Sequence, residues 1–274
     1  MDLRIIGCSG GQPSNGWASS GYLVTEGDTR ILLDAGAGVA AELSAVIAPQ
    51  DLDAIFISHL HADHVWDVIS LGKMIVSSYI QYHDNGDRPE YVPGPLPRLL
   101  LPVGGKAALA SVAQHFAIPS MPWLSRVIDE GFEVTEYEPG FTTDIGGLEI
   151  VTTEMRHAAV DSAIRLTGSH GSMLYTGDTG MNDALVPAAS DVDLLLIENT
   201  TVEPGFAAHG HLSSREAGQV AVDANVGSLV LTHYRNSGDE DRAMRAATAA
   251  ESYEGPLALA EPRLELSISP IPVS

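Results

Sequence analysis

The chain has 274 residues, of which 36 are acidic and 14 are basic, so its formal net charge is −22. This charge repels polyanions and leaves no basic stripe, which argues against long DNA or RNA as a partner. The chain is long enough to bury a sizeable core, and it has no apolar run of about 18 residues that would predict a membrane span. The single cysteine excludes an internal disulfide framework.

The first 58 residues predict a strand, a hairpin around Glu26-Gly27-Asp28, a helix near 38–47 and a further strand. The first strand has no basic segment followed by an apolar one, so it is not a signal peptide. Together with the single cysteine, this predicts a cytoplasmic protein. Asp34 ends the hairpin, where its carboxylate could orient a metal-binding imidazole or cap the following helix. The sequence leaves both roles open.

Four candidate metal ligands lie in six residues directly after the apolar run 54–58: His59, His61, Asp63 and His64. The run has the length and composition of a buried strand, and apolar residues recur at helical spacing from 65 to 80. The cluster is therefore predicted on a turn at a strand's carboxyl end, where open α/β sheets form ligand sites. Imidazole and carboxylate are ligands that zinc and similar divalent ions accept. His59 and His61 project to one side and can bind one ion, whereas the adjacent Asp63 and His64 could serve a second.

The segment 81–97 is an irregular loop with many prolines and glycines, followed by a strand over 98–101 and a helix over 106–116. Four aromatic residues lie in or near this loop: Trp66, Tyr79, Tyr82 and Tyr91. They could wall a substrate pocket or pack the loop against the rest of the protein. The sequence does not decide between these two roles.

Candidate ligands follow short strands again in the second half of the chain. The strand 148–153 precedes His157, the strand 172–175 precedes Asp178, and the strand 228–232 precedes His233. Glycines flank Asp178 and would let the backbone approach a metal closely. All three side chains are therefore predicted at strand ends, as the first cluster is.

The last third of the chain alternates strands with helices. The strand 193–197 ends at Glu198, a loop carries His211, and Ser213 or Ser214 caps a helix that runs to 224. A final helix over 239–251 and two short strands between 257 and 268 complete the chain. No linker or repeat divides it, which predicts one domain over 1–274. Early antiparallel strands and later strand–helix alternation predict an α/β (α+β) fold of two sheets with helices outside.

The pattern His59-x-His61-x-Asp63-His64, followed in order by His157, Asp178 and His233, resembles the ligand set of metallo-β-lactamase-fold hydrolases. The resemblance covers the whole chain and implies a four-layer αββα sandwich of two mixed β-sheets flanked by helices. It implies two divalent metal ions, with zinc as the first expectation and manganese or iron as alternatives. It also assigns the ligands to two ions that Asp178 bridges with a water or hydroxide: His59, His61 and His157 for one, and Asp63, His64 and His233 for the other.

Within that superfamily the chain is most similar to the ribonuclease Z-like branch, through the segments 175–179, 195–198, 211–218 and 231–234. The resemblance gives His211 a catalytic role beside the metals with support from Glu198, and it gives Asp63 a proton-accepting role. Ribonuclease Z proteins carry a tRNA-gripping arm between the third and fourth ligand motifs. Here those motifs are 21 positions apart and one hairpin fills the interval. The sequence also has His211-Leu-Ser where the branch usually has His-Ser-Thr, so tRNA 3′ processing is not expected.

Three functions remain open at this point. The first is a phosphodiesterase that acts on a small substrate such as a cyclic nucleotide or a short oligonucleotide, through a hydroxide activated by two metals. The second is a hydrolase of thioesters, esters or lactones, and the third is a di-iron binding or redox protein. The expected partner is a small-molecule substrate, with no membrane. A homodimer is consistent with the resemblance, and the motif spacing says nothing about it.

Overall fold

The structure, a computed structural model, describes residues 1–82, 89–205, 209–235 and 238–270. The strands are β1 Asp2–Gly7, β2 Gly21–Glu26, β3 Thr29–Leu33, β4 Ala54–Phe56, β5 Ile80–Gln81, β6 Glu90–Tyr91, β7 Arg98–Pro102, β8 Glu133–Tyr137, β9 Thr142–Ile145, β10 Leu148–Met155, β11 Asp161–Gly168, β12 Gly171–Tyr175, β13 Leu194–Glu198, β14 Leu229–Thr232, β15 Leu257–Leu259 and β16 Glu265–Ser267. The α-helices are α1 Val39–Ser44, α2 Ala62–Val65, α3 Val68–Ser78, α4 Gly105–His115, α5 Val127–Glu130, α6 Leu185–Ala189, α7 Ser214–Asp223 and α8 Asp239–Ala249. Two short 3₁₀ helices span Pro49–Asp51 and Pro122–Ser125.

The described strands form two seven-stranded mixed sheets and one two-stranded ribbon, β5-β6. The first sheet has the order β16-β1-β2-β3-β4-β7-β8, and the second has the order β15-β14-β13-β12-β11-β10-β9. In the first sheet the pairs from β16 to β3 are antiparallel and those from β3 to β8 are parallel. In the second, the pairs from β9 to β12 are antiparallel and those from β12 to β15 are parallel. Because parallel neighbours need crossover connections, helices lie outside both sheets.

The two sheets pack face to face, since side chains alternate between the two sides of each strand. In β4, Phe56 belongs to the core between the sheets together with Tyr175 of the second sheet. Its neighbour Ile55 lies on the opposite side, in the core that α1, α3, α4 and α5 form with the first sheet. Helices α6, α7 and α8 cover the other sheet. Each fully buried aliphatic or phenyl side chain contributes about 1.5–3 kcal/mol. The predicted four-layer αββα sandwich is thereby confirmed.

The element boundaries differ from the predicted ones mainly after the histidine cluster. The apolar recurrence over 65–80 predicts one helix, whereas the structure has α2 and α3 with a break at Trp66 and Asp67. The carboxylate of Asp67 accepts the N–H groups of Gly38 and Ala40, both at 2.9 Å, and so caps α1. A contact with a helix distant in sequence therefore decides this boundary. In the parts of the chain that the structure describes, no helix has the length and apolarity that a bilayer crossing requires.

Ser213 is the N-cap of α7, which decides between the two predicted caps. Its hydroxyl accepts the N–H of Glu216, and the Glu216 carboxylate accepts the N–H of Ser213, which completes a capping box. We expect Ser213→Ala to lower the free energy of unfolding by about 1 kcal/mol, because it leaves a helix N–H without its partner. Chemical denaturation monitored by circular dichroism measures this loss. The control is Ser44→Ala at the exposed end of α1, expected within about 0.5 kcal/mol of the parent, and equal losses would contradict the capping role.

Candidate metal centre

The predicted site residues lie at one edge of the two sheets, just beyond the carboxyl ends of strands. The first cluster follows β4, His157 follows β10, Asp178 follows β12, and His233 follows β14. Strands β10 and β12 both run antiparallel to β11, so their carboxyl ends meet at the same edge. The seven candidate ligands form two groups that share Asp178, and the donor atoms of each group lie within 4.8 Å of one another.

The first group contains three imidazoles, those of His59, His61 and His157. His61 Nδ1 lies 3.0 Å from His59 Nε2 and 3.0 Å from His157 Nε2. Zn–N bonds of 2.0–2.1 Å in a tetrahedral site place two nitrogen ligands about 3.3 Å apart. The separations of these facing nitrogens therefore suit a single tetrahedral ion.

The second group contains Asp63, His64 and His233. His64 Nε2 lies 3.3 Å from His233 Nε2, and Asp63 Oδ2 lies 3.4 and 3.2 Å from these two nitrogens. Asp63 and His64 belong to α2 rather than to the predicted turn, because the helix begins one residue after His61. The N–H of Gly11 donates to Asp63 Oδ2 at 2.7 Å and fixes the carboxylate.

Asp178 lies between the two groups. Its Oδ2 is 3.9 Å from both His59 Nε2 and His157 Nε2. Its Oδ1 is 3.4 Å from His64 Nε2 and 3.3 Å from His233 Nε2. Oδ1 is also buried without a hydrogen-bond partner among the described residues. A buried carboxylate oxygen costs free energy unless it is hydrogen-bonded or coordinates an ion, so this oxygen fits a metal ligand.

Acceptor groups outside the two clusters fix the tautomers of three imidazoles. Asp161 Oδ2 lies 2.7 Å from His59 Nδ1, and Asp34 Oδ2 lies 2.7 Å from His64 Nδ1. The carbonyl oxygen of Gly210 lies 3.0 Å from His157 Nδ1. Each Nδ1 therefore carries the proton, and each Nε2 directs a lone pair towards the centre. Converging lone pairs and carboxylates are stabilised by cations, so these residues fit the divalent ions that the fold implies.

The carboxylates and imidazoles of this donor set shift one another's pKa values. Burial lowers the pKa of His64 and of His233, but the facing carboxylates, with Asp178 foremost, raise both above the ordinary value, so a metal ion would have to displace protons from these two imidazoles. Burial lowers the pKa of His61, and the neighbouring imidazoles of His59 and His157 lower it further, which leaves the neutral form that binds metals. Burial raises the pKa of Asp178, but the facing imidazoles of His233 and His64 outweigh it and hold the pKa well below its usual range. Burial likewise raises the pKa of Asp63, which hydrogen bonds with the same two imidazoles lower far more. Both carboxylates are therefore ionised at neutral pH, and the proton-accepting role of Asp63 stays a prediction.

The structure decides between the two roles of Asp34. Its carboxylate accepts the Ser58 N–H at 2.7 Å and the Tyr175 hydroxyl at 2.6 Å, in addition to its contact with His64. The start of helix α1 is capped instead by Asp67, which accepts the N–H groups of Gly38 and Ala40. Asp34 therefore orients His64 and does not cap α1.

The sequence did not predict two positioning residues, Asp161 and Thr200. Asp161 orients His59, and Gly177 makes room for it, since a Cβ at Gly177 would collide with Asp161 Oδ1. The absence of a side chain at Gly177 therefore leaves space for this carboxylate, and the predicted approach of the backbone to a metal stays a prediction. The hydroxyl of Thr200 donates to Glu198 Oε2 at 3.0 Å and accepts from His233 Nδ1 at 3.2 Å. The sequence gives no signal for either contact beyond the place of each residue near a strand end.

His211 lies against both groups. Its Nδ1 is 2.8 Å from Glu198 Oε1, and its ring centroid is 5.0 Å from that of His157 and 5.7 Å from that of His233. Glu198 is fully buried and also accepts the N–H of Thr200 at 2.9 Å. Burial lowers the pKa of His211, but the hydrogen bond to Glu198 and the charges of Glu198 and Asp178 together outweigh burial, so the pKa is above its ordinary value. The predicted pairing of His211 with Glu198 is present in the structure, and its catalytic role stays a prediction.

The four aromatic residues near the 81–97 loop differ in their surroundings, and Tyr82 is 69% exposed. The Tyr79 hydroxyl donates to the carbonyl oxygen of Pro95 at 2.5 Å, and the Tyr91 hydroxyl donates to that of Glu130 at 2.7 Å. These two tyrosines pack the loop. Trp66 instead lines a pocket beside Asp63. Residues 83–88 of the loop lie outside the described residues.

We expect Asp161→Asn to weaken zinc binding by about 10–100-fold, because an amide accepts a weaker hydrogen bond from His59 and can present its N–H₂ group instead. Competition with a fluorescent zinc chelator measures the affinity. The matched control is Asp193→Asn, whose carboxylate accepts the Ser172 N–H at 2.7 Å at the opposite end of β13. Equal affinities of the Asp161 variant and the parent would show that this contact does not support the site.

Sequence comparison supplies the family. The profile of the Beta-lactamase superfamily domain matches residues 29–234. The chain is 29% identical over 250 residues to the probable metallo-hydrolase YhfI of Bacillus subtilis (strain 168), across 90% of this chain and 92% of the relative. It is 26% identical over 253 residues to ribonuclease Z of Mycobacterium bovis, across 85% and 86% of the two chains.

Solved structures show the same architecture. The crystal structure of the metallo-β-lactamase-fold protein YhfI from Bacillus subtilis superposes with a TM-score of 0.79 at 24% identity, over 97% of this chain and 98% of that one. Human tRNase Z, short form, superposes with a TM-score of 0.73 at 18% identity, over 98% and 99%. The family match, the fold and the two donor groups together define a metallohydrolase with the metallo-β-lactamase fold. The chain belongs to the β-lactamase superfamily.

Proposed function

We propose that this metallohydrolase binds two divalent ions, zinc in the first place, and cleaves a phosphodiester bond in a small substrate. The observation that carries the proposal is the position of the His211–Glu198 pair beside both donor groups. A proton donor at that place suits a reaction in which an alkoxide leaves. The similarity to a ribonuclease Z supports the same class of bond.

The residues of the chain would have distinct roles in this reaction. Bound divalent ions would supply an activated water and offset negative charge on the substrate. Asp34 and Asp161 hold two imidazoles in the tautomer that binds a cation. The water would give one proton to Asp63, and its oxygen would form the new bond to phosphorus while the P–O ester bond breaks. His211 gives its proton to the departing oxygen, so that the products are a phosphomonoester and an alcohol.

The guanidinium of Arg235, near the second donor group, supports an anionic substrate. A Cβ added at Gly11 would lie 3.5 Å from Arg235 Nη2, and the N–H of Gly11 binds Asp63. Arg235 therefore lies near the Gly11 backbone that contacts the second donor group. Guanidinium forms strong charge-assisted hydrogen bonds with phosphate oxygens. In a chain of net charge −22, a cation at this position favours a phosphodiester over a neutral ester or lactone.

The proposal concerns small substrates rather than long RNA. The interval between His157 and Asp178 contains the hairpin of β11 and β12, where ribonuclease Z proteins would carry an arm. The overall charge opposes the approach of a polyanion. A cyclic nucleotide or a short oligonucleotide has the required bond at a much smaller electrostatic cost.

A second candidate is hydrolysis of a thioester, ester or lactone. The observation that favours it is the pocket beside Asp63, whose lining includes Pro13, Ala37, Ala62 and Trp66. Such a lining suits an organic acyl group. The dinuclear site would perform either reaction, because the same activated water attacks carbon or phosphorus.

The test is turnover of bis(p-nitrophenyl) phosphate by zinc-loaded protein, with His59→Ala as the control variant. Fast, metal-dependent cleavage that the variant loses would support the phosphodiesterase. No cleavage by protein that holds two metals would overturn it in favour of acyl substrates, which a panel of thioesters and lactones would identify. Metal analysis of the purified protein separates both from the di-iron redox alternative.

A further inference from the structure

A pocket of about 250 Å³ opens beside the second donor group. Asp63 contributes to both the pocket and the candidate metal centre. The rest of the pocket is mainly small and apolar, and its lining residues are Gly11, Gln12, Pro13, Ser19, Ala37, Ala62 and Trp66. We call it the Trp66 pocket. Its volume is too small for a whole drug-sized ligand but suits one ring system of a larger molecule.

Trp66 lies next to this polar centre, and 56% of its surface is exposed. It follows α2, the helix that carries Asp63 and His64. An indole that is left in water on the wall of a pocket offers a flat apolar face to a ligand. Phe116 is 64% exposed as well, but it does not line this pocket. The position of Trp66, rather than its exposure alone, therefore points to binding.

Gly11 lines the pocket, and a Cβ added at Gly11 would lie 3.5 Å from Arg235 Nη2. A ligand in the pocket would therefore have an aromatic face, a guanidinium and the candidate metal ligand Asp63 around it. A nucleotide has a group to match each of these features, because its planar base is joined through a sugar to an anionic phosphate. We propose that the Trp66 pocket binds the base of a nucleotide substrate, stacked on the indole of Trp66. This inference rests on the proposed phosphodiesterase function and names its substrate class.

The test compares binding of AMP with that of ribose 5-phosphate, which lacks the base, by calorimetry on the zinc-loaded protein. Base stacking on an aromatic side chain predicts that AMP binds about 5- to 150-fold more tightly. Trp66→Ala should remove this preference and leave the affinity for ribose 5-phosphate unchanged. Trp66→Phe should keep most of the preference, because it retains an aromatic face. Phe116→Ala, an exposed aromatic residue outside the pocket, should match the parent.

The outcomes separate this inference from the function on which it rests. Equal affinities of the parent for AMP and ribose 5-phosphate would overturn the pocket assignment, even if bis(p-nitrophenyl) phosphate is cleaved. A preference for AMP that persists in Trp66→Ala would overturn the role of Trp66. A preference that depends on Trp66, without any phosphodiester cleavage, would support the pocket and overturn the proposed reaction.

Discussion

Asp178→Asn is expected to reduce bound zinc from two ions to at most one per chain and to lower phosphodiester turnover by about 10³-fold or more. The two carboxylate oxygens of Asp178 face different donor groups, at 3.3–3.4 Å on one side and 3.9 Å on the other. An amide keeps one oxygen, loses the negative charge and turns an N–H₂ group towards imidazole lone pairs. Metal analysis after dialysis and the initial rate with bis(p-nitrophenyl) phosphate measure the two effects.

Asp193→Asn is again the matched control, because its carboxylate caps a strand at the far end of β13. It should hold two ions and retain parental turnover. Circular dichroism and thermal unfolding show whether each variant folds. A folded Asp178 variant with two ions and unchanged turnover would refute the bridging role.

His211→Ala is expected to lower turnover by about 10²–10⁴-fold with unchanged zinc content, which is the range for loss of a general acid. Its contacts with Glu198, His157 and His233 place it beside both groups. The loss should be greatest for a diester with an alkyl alcohol as leaving group, because an alkoxide needs a proton. It should be smaller with p-nitrophenolate, which leaves readily without one. Steady-state kinetics with both substrate types measures the difference.

His115→Ala supplies the control for this variant, since His115 contacts a backbone carbonyl on the exposed side of α4. It should behave as the parent does with both substrates. Equal losses with the two leaving groups would refute proton donation by His211. Loss of zinc from His211→Ala would instead make it a metal ligand, which its grouping with Glu198 and His233 allows chemically.

The sequence by itself determined the features that depend on near neighbours in the chain. Four candidate ligands lie in six residues after a buried strand and predict a metal site. Residues this close in the sequence stay close in space whatever the rest of the chain does. The start of α7 at Ser213 or Ser214 is local for the same reason, since a cap and its partner are about three positions apart, and the structure then showed that Ser213 is the cap. The resemblance to a known ligand pattern extended this to His157, Asp178 and His233, and it supplied the fold.

Only the tertiary structure decided which atoms face one another. His61 and His157 are 96 positions apart, and His64 and His233 are 169 positions apart, yet their ring nitrogens lie 3.0 and 3.3 Å from each other. These contacts depend on which strands lie next to each other and on how the two sheets pack. The hydrophobic pattern of a strand shows which of its faces is buried, but it does not show which strand is its neighbour.

The same limit explains the residues that the sequence analysis missed. Asp161 orients His59 because β11 begins opposite the end of β10, where Met155 pairs with Asp161. Asp67 caps α1 across 27–29 positions and so separates α2 from α3. A carboxylate binds whichever donors folding brings within about 3 Å. Residue type and spacing therefore predict that a polar group needs a partner, and the packing of remote segments decides which partner it has.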